Sequence, residues 1–258
     1  MRNAFELGDG PPLVLVPGIP GPWQYVRPTV EALAASFRVL TFSLGRECTI
    51  ETDVERIGRA LDECHIDQAI VCGISYGGLV ALRFAASHPG RTRALVLAST
   101  PGPGTTLKPR HRTYAQWPYL FGPLFIAETP FRFRRELTRA LPWPADRWSF
   151  AWAELKALLT AGISLGQVAR RACLMEQVDI AGDCQRVGAP TLVVTGEPAL
   201  DWVVPVDNSL GYLRSIGGAR HVVLEGTGHL GAVTRPAAFA AAVRRFADTL
   251  RAQNDEVA

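Results

Sequence analysis

Six short apolar runs punctuate the chain: Leu13–Val16, Val39–Phe42, Ala69–Ile74, Ala94–Ala98, Leu192–Thr195 and His221–Leu224. They are rich in β-branched residues and lack the strict apolar–polar alternation of a strand with one wet face. Each therefore reads as a parallel strand covered on both faces. Helical spacing fills several of the intervals: Val26, Val30, Leu33 and Ala34 over 26–36, Val54, Ile57 and Leu61 over 53–65, and Leu79, Leu82 and Ala86 over 79–87. Strand–helix alternation of this kind predicts an α/β fold with a doubly wound, mostly parallel sheet and right-handed crossovers.

The alternation breaks at Ser99-Thr100-Pro101-Gly102-Pro103-Gly104, which is too rich in Gly and Pro to continue a helix. From Thr105 to Arg186 aromatic residues and arginines concentrate, among them Tyr114, Trp117, Phe121, Trp148, Arg110, Arg112, Arg132, Arg134, Arg135 and Arg139, and six prolines cut the segment into short pieces. Nothing there has the character of a sheet strand. The strand pattern resumes at Pro190–Gly196. The expected organisation is a split sheet domain, 1–102 plus 186–258, carrying an inserted helical cap, 103–185, whose aromatics pack as a small core of their own.

Length and composition narrow the class. A chain of 258 residues with 48% hydrophobic content fits one globular α/β domain. The formal charge of +3 comes without a clustered basic patch, so neither nucleic acid nor a membrane surface is an expected partner. No apolar run approaches the ~18–20 residues of a membrane helix, and Met1–Gly10 lacks the apolar centre of a secretory signal. Five cysteines, an odd number with no C-x-x-C pair, argue against a disulfide framework or a zinc knuckle and for a reducing cytoplasm. Neither metal-ligand spacing nor a phosphate loop is present, so no cofactor is expected.

The candidate chemistry lies at strand ends. Gly73-Ile74-Ser75-Tyr76-Gly77 stands where an apolar strand stops and a helix begins. A serine at that corner projects its hydroxyl from the sheet edge, and small neighbours let the turn close; the bland alternative is an ordinary serine in a βα turn. His229, in Gly226-Thr227-Gly228-His229-Leu230-Gly231, follows the last strand and lies on the same sheet edge, placed to take the proton of Ser75. His65, His88 and His221 sit at helix or strand positions away from that edge, and His111 lies in the cap. A third, carboxylate member would orient the imidazole. After Leu192–Thr195 the chain offers Glu197 and Asp201, with Asp207 or a cap carboxylate as further options.

These pieces, with the Pro17-Gly18-Ile19-Pro20-Gly21 loop and Ala85–Pro89 followed by Arg93–Leu97, are similar over nearly the whole chain to the α/β-hydrolase superfamily, especially its small cap-bearing esterase and C–C-hydrolase-like members. The resemblance implies an α/β-hydrolase fold and selects Asp201, which stands a few residues before Val204-Pro205, as the acid. It also implies an oxyanion hole formed by the N–H groups of Tyr76 and Ile19. The N-terminal edge departs from the family: too few residues precede Leu13 for a full hairpin, which leaves one short strand near Ala4–Leu7. The loop Thr41–Cys48 is also eroded relative to the family's pattern. Serine in place of aspartate at position 75 disfavours dehalogenase and epoxide-hydrolase chemistry. The expected reaction is hydrolysis of a carboxylic ester of a small to medium hydrophobic substrate. The alternatives are cleavage of a C–C bond, lactone or thioester by the same groups, and non-catalytic ligand binding. Two points stay open: whether the cap arginines form a solvated face or hold a substrate carboxylate, and whether the protein is a homodimer.

Overall fold

The computed structural model describes residues 4–255; Met1–Asn3, the start of the segment tested for a signal, and the last residues of the 186–258 segment lie outside it. Seven strands form one sheet: β1 (Phe5–Leu7), β2 (Pro12–Val16), β3 (Arg38–Thr41), β4 (Ala69–Ile74), β5 (Thr92–Ala98), β6 (Thr191–Thr195) and β7 (Arg220–Val223). Their spatial order is β1-β3-β2-β4-β5-β6-β7. Every pairing is parallel except that of the short edge strand β1 with β3. The reduced N-terminal edge is therefore three residues long.

From β2 to β6 both faces of the sheet are covered, which is why those strands read as unbroken apolar runs; β7, expected to be covered likewise, is the edge strand and none of Arg220–Val223 is buried. Val14, Val16, Val71, Leu95 and Leu97 point to one side, where they meet Ile57, Leu61, Leu79, Phe84 and Tyr212 from the helices Ile50–Glu63, Tyr76–Ser87 and Val206–Ser215. Leu13, Leu15, Ile70, Cys72, Val96 and Val194 point to the other, against Val30, Leu33, Phe239, Val243 and Phe246 from Arg27–Ala34 and Pro236–Asp255. The helix expected over 53–65 begins earlier, at Ile50, because the Thr49 hydroxyl accepts the Thr52 N–H and caps the first turn.

Between β5 and β6 the chain forms helices from Pro109 to Arg186. A few of its aromatics pack together: Tyr114, the one buried member, lies against Phe121 and Phe125. Trp117, Tyr119, Phe131, Trp143, Trp148 and Trp152 are instead exposed, so the expected aromatic core of this segment is small. Proline-cut helices as short as Thr129–Arg132 cannot enclose so many large rings. Among the described residues no helix is long and apolar enough to cross a membrane, and no group of three or more His, Cys, Asp or Glu side chains is placed to hold a metal ion.

Candidate active site

β4 ends at Ile74, and the next residue turns sharply into the helix Tyr76–Ser87. Ser75 makes that turn at φ 54° and ψ −120°, a left-handed conformation rare outside glycine. Its N–H donates to the Ala98 carbonyl at 2.8 Å, and the Gly78 N–H returns to the Ser75 carbonyl at 2.9 Å. The flanking glycines are sterically required. A methyl group on Gly73 would lie 2.2 Å from the Gly77 carbonyl oxygen, and one on Gly77 would lie 2.4 Å from the carbonyl oxygens of Val16 and Pro17.

The loop after β7 brings His229 to this corner. Its Nε2 stands 3.1 Å from Ser75 Oγ, and its Nδ1 stands 3.4 Å from Asp201 Oδ2. The second contact is long for a charge-assisted bond. Asp201 is fixed by its other oxygen, which accepts the N–H groups of Val203 and Val204 at 3.0 and 2.9 Å. Both side chains are nearly buried, at 9% exposure for His229 and 2% for Asp201. Burial of His229 works against its protonation. The charge and hydrogen bond of Asp201, with the charge of Glu136, outweigh it and hold the imidazole above its ordinary value.

The other carboxylates considered from sequence fall elsewhere. Glu197 accepts the Gly226 N–H at 2.6 Å and so braces the histidine loop, but it makes no bond to the imidazole. Asp207 is exposed on the first turn of Val206–Ser215. His88 stacks on Phe84, His221 on β7 faces Thr195 of β6, and His111 packs with Tyr114 and Phe125. The loop after β2 lies beside the serine: a methyl on Gly18 would come within 3.7 Å of Ser75 Cβ. Ile19 follows on that loop, half-buried, and Tyr76 opens the helix on the other side with its ring fully buried.

Two contributors to this region carry no mark in the sequence. Arg171, on the helix Leu165–Leu174, is fully buried. It donates to the carbonyls of Ile19, Pro20 and Gly45 at 3.1, 3.4 and 2.8 Å, fixing the loop that holds Ile19. Glu136, on the helix Arg134–Ala140, is 1% exposed and accepts the N–H groups of Gly228 and Leu230. Each is one charge among many in an Arg-rich segment, and only long-range packing distinguishes it. The nearest signal was the general option of a cap carboxylate, though Glu136 meets the histidine's neighbours and not its ring. Most of the arginines noted from sequence are engaged or solvated: Arg110 and Arg132 pair with Glu128, Arg112 pairs with Glu176, and Arg134, Arg135 and Arg139 are exposed.

Comparisons with known proteins agree with this architecture. Over 259 residues the chain is 29% identical to polyketide synthase ThaQ of Burkholderia thailandensis, covering 95% of this chain but 12% of that much longer protein. Over 250 residues it is 26% identical to the pimeloyl-acyl-carrier-protein methyl ester esterase of Nitrosomonas europaea, covering 90% of this chain and 94% of the relative. The solved enol-lactonase of Burkholderia xenovorans LB400 superposes with a TM-score of 0.72 at 22% identity over 95% of each chain, a likeness of fold. The model of the alpha/beta hydrolase family matches residues 13–242, spanning every strand from β3 to β7 and nearly all of β2. The chain belongs to the alpha/beta hydrolase family and is a hydrolase of the α/β type.

Proposed function

We propose that this hydrolase cleaves a carboxylic ester of a small to medium hydrophobic substrate through an acyl-enzyme. The carrying observation is the chain of contacts Ser75–His229–Asp201 at a serine held in a left-handed turn. Ser75 Oγ attacks the ester carbonyl carbon while His229 Nε2 takes its proton. The Ile19 and Tyr76 N–H groups receive the oxyanion. Collapse expels the alcohol, which leaves with the proton from His229, and water then attacks the acyl group by the same route to release the acid and regenerate Ser75. Asp201 orients the imidazole and stabilises its cation. The helices Pro109–Arg186 act as a cap over this edge, and their apolar surface suits a hydrophobic substrate.

Ester cleavage is preferred to C–C hydrolysis because the arginines that would hold a substrate carboxylate are taken up by Glu128 and Glu176 or lie exposed. The ester named for the Nitrosomonas relative supports the same choice. The test is steady-state hydrolysis of p-nitrophenyl acetate, butyrate and octanoate by the native protein and by Ser75→Ala. The mutation is expected to cost on the order of 10⁶ in turnover, and the chain-length trend sizes the acyl site. Equal rates in the two proteins would sink the reading.

A further inference from the structure

Glu136 takes no part in the reaction as proposed, yet it is built into the site from outside the sheet. Its Oε1 accepts two N–H groups, from Gly228 at 2.9 Å and Leu230 at 2.6 Å, the amides on either side of His229. Its Oε2 is buried with no hydrogen-bond partner. The same loop also meets the Asp201 turn: a methyl on Gly228 would stand 2.4 Å from the Leu200 carbonyl oxygen and 2.9 Å from the Asp201 nitrogen. The backbone before His229 is thus held by the acid's own turn and by a carboxylate from the helical segment.

The charges that act on this carboxyl are those of His229 and Asp201. Arg235 lies nearby, but its guanidinium is spent on the carbonyls of Ala140 and Arg139 at 3.2 and 3.5 Å. A carboxylate with an unpaired buried oxygen is a costly way to tie down a loop, since a neutral acceptor would serve the two amides as well. What the neutral group lacks is a charge beside the imidazole, which becomes a cation during the reaction.

We propose that Glu136 is a positioning residue for His229, tying the histidine loop to the helical segment and, in its ionised form, adding a second negative charge near the imidazole. The inference rests on the reading of Ser75 and His229 as nucleophile and base.

The experiment compares Glu136→Ala and Glu136→Gln with the native protein and Ser75→Ala on p-nitrophenyl butyrate across pH, with circular dichroism to verify folding. In Glu136→Ala, kcat is expected to fall on the order of 10- to 100-fold, with KM changing less than about twofold. In Glu136→Gln the retained oxygen still accepts both amides, so most of kcat returns. The neutral end of the acid limb of its kcat/KM profile moves to lower pH, because there Glu136 is ionised in the native protein and its charge helps to raise His229. The Gln variant decides the matter if the Ala variant does not fold. Native kcat and a native acid limb in the folded variants, beside loss of activity in Ser75→Ala, would overturn the role of Glu136 alone. Activity surviving Ser75→Ala would overturn the underlying reading and this role with it.

Discussion

Ser75 occupies a backbone conformation that costs a non-glycine residue about 1–3 kcal/mol, and it persists because the strand, helix and neighbouring loops leave no alternative. Asp201 shows how finely one residue decides the site. One of its oxygens is committed to two backbone amides, so the other is free to face His229 and the carboxylate cannot rotate away. Glu197, four residues earlier, spends an oxygen on Gly226 instead. Asp201→Asn is therefore expected to lower kcat on the order of 10⁴-fold while the fold is kept. Glu197→Gln, read in the same p-nitrophenyl assay, should lose far less. A reversed ranking would assign the acid to Glu197.

At the scale of elements, the turn between β4 and its helix depends on close backbone approach. Gly77 lies against the carbonyls of Val16 and Pro17 at the end of β2, so the helix packs onto the sheet with no room for a side chain. Those carbonyls belong to the segment leading into the Ile19 loop, which Arg171 holds from the other side. A methyl group here must displace backbone, since no flexible side chain can yield. Gly77→Ala is expected to destabilise the protein by about 3 kcal/mol, seen as a fall in Tm of roughly 6–12 °C. An unchanged Tm would mean that the elbow can widen, and that its shape is less constrained than these contacts imply.

The helices between β5 and β6 are joined to the sheet by polar ties as well as by packing. Arg83 meets the buried Asp183 at 2.7 Å, and Arg171 and Glu136 reach the two loops that flank Ser75. Such ties give the whole molecule a pH dependence. Burial pushes Glu136 up to about 7 against the opposing effect of its two amide bonds and His229. Between the ordinary carboxylate value of 4.5 and about 7, the native state therefore keeps a proton that the unfolded chain has released, and stability falls as pH rises through that window. His229, also raised, adds stability below its ordinary value that is lost as pH rises through its folded value. Replacing Glu136 by Gln removes the first contribution and lessens the second, since the Glu136 charge helps to raise His229. In urea unfolding, the Gln variant should gain on the native protein as pH rises from about 5 to 8, by on the order of 2–3 kcal/mol at full shift. A constant difference across that range would show that Glu136 titrates normally.

The sequence by itself determined whatever depends on local period and turn chemistry. The unbroken apolar runs located β4 to the residue and β2, β3, β5, β6 and β7 to within a residue or two, because strands at the centre of a sheet covered on both faces leave few polar positions inside them. The elbow and the histidine loop were legible for a similar reason: strand ends on one sheet edge meet wherever the sheet forms, so Ser75, His229 and Asp201 converge without help from the intervening helices. Tertiary structure alone decided which buried polar atoms face one another. Glu136 lies 92 residues from Gly228 in the chain, and Arg171 lies 152 from Ile19. Such contacts are set by how helices pack after the sheet has formed, and no periodicity encodes them. The exposed tryptophans of the helical segment follow the same logic, since an aromatic residue reads as core until the space available to its helix is known.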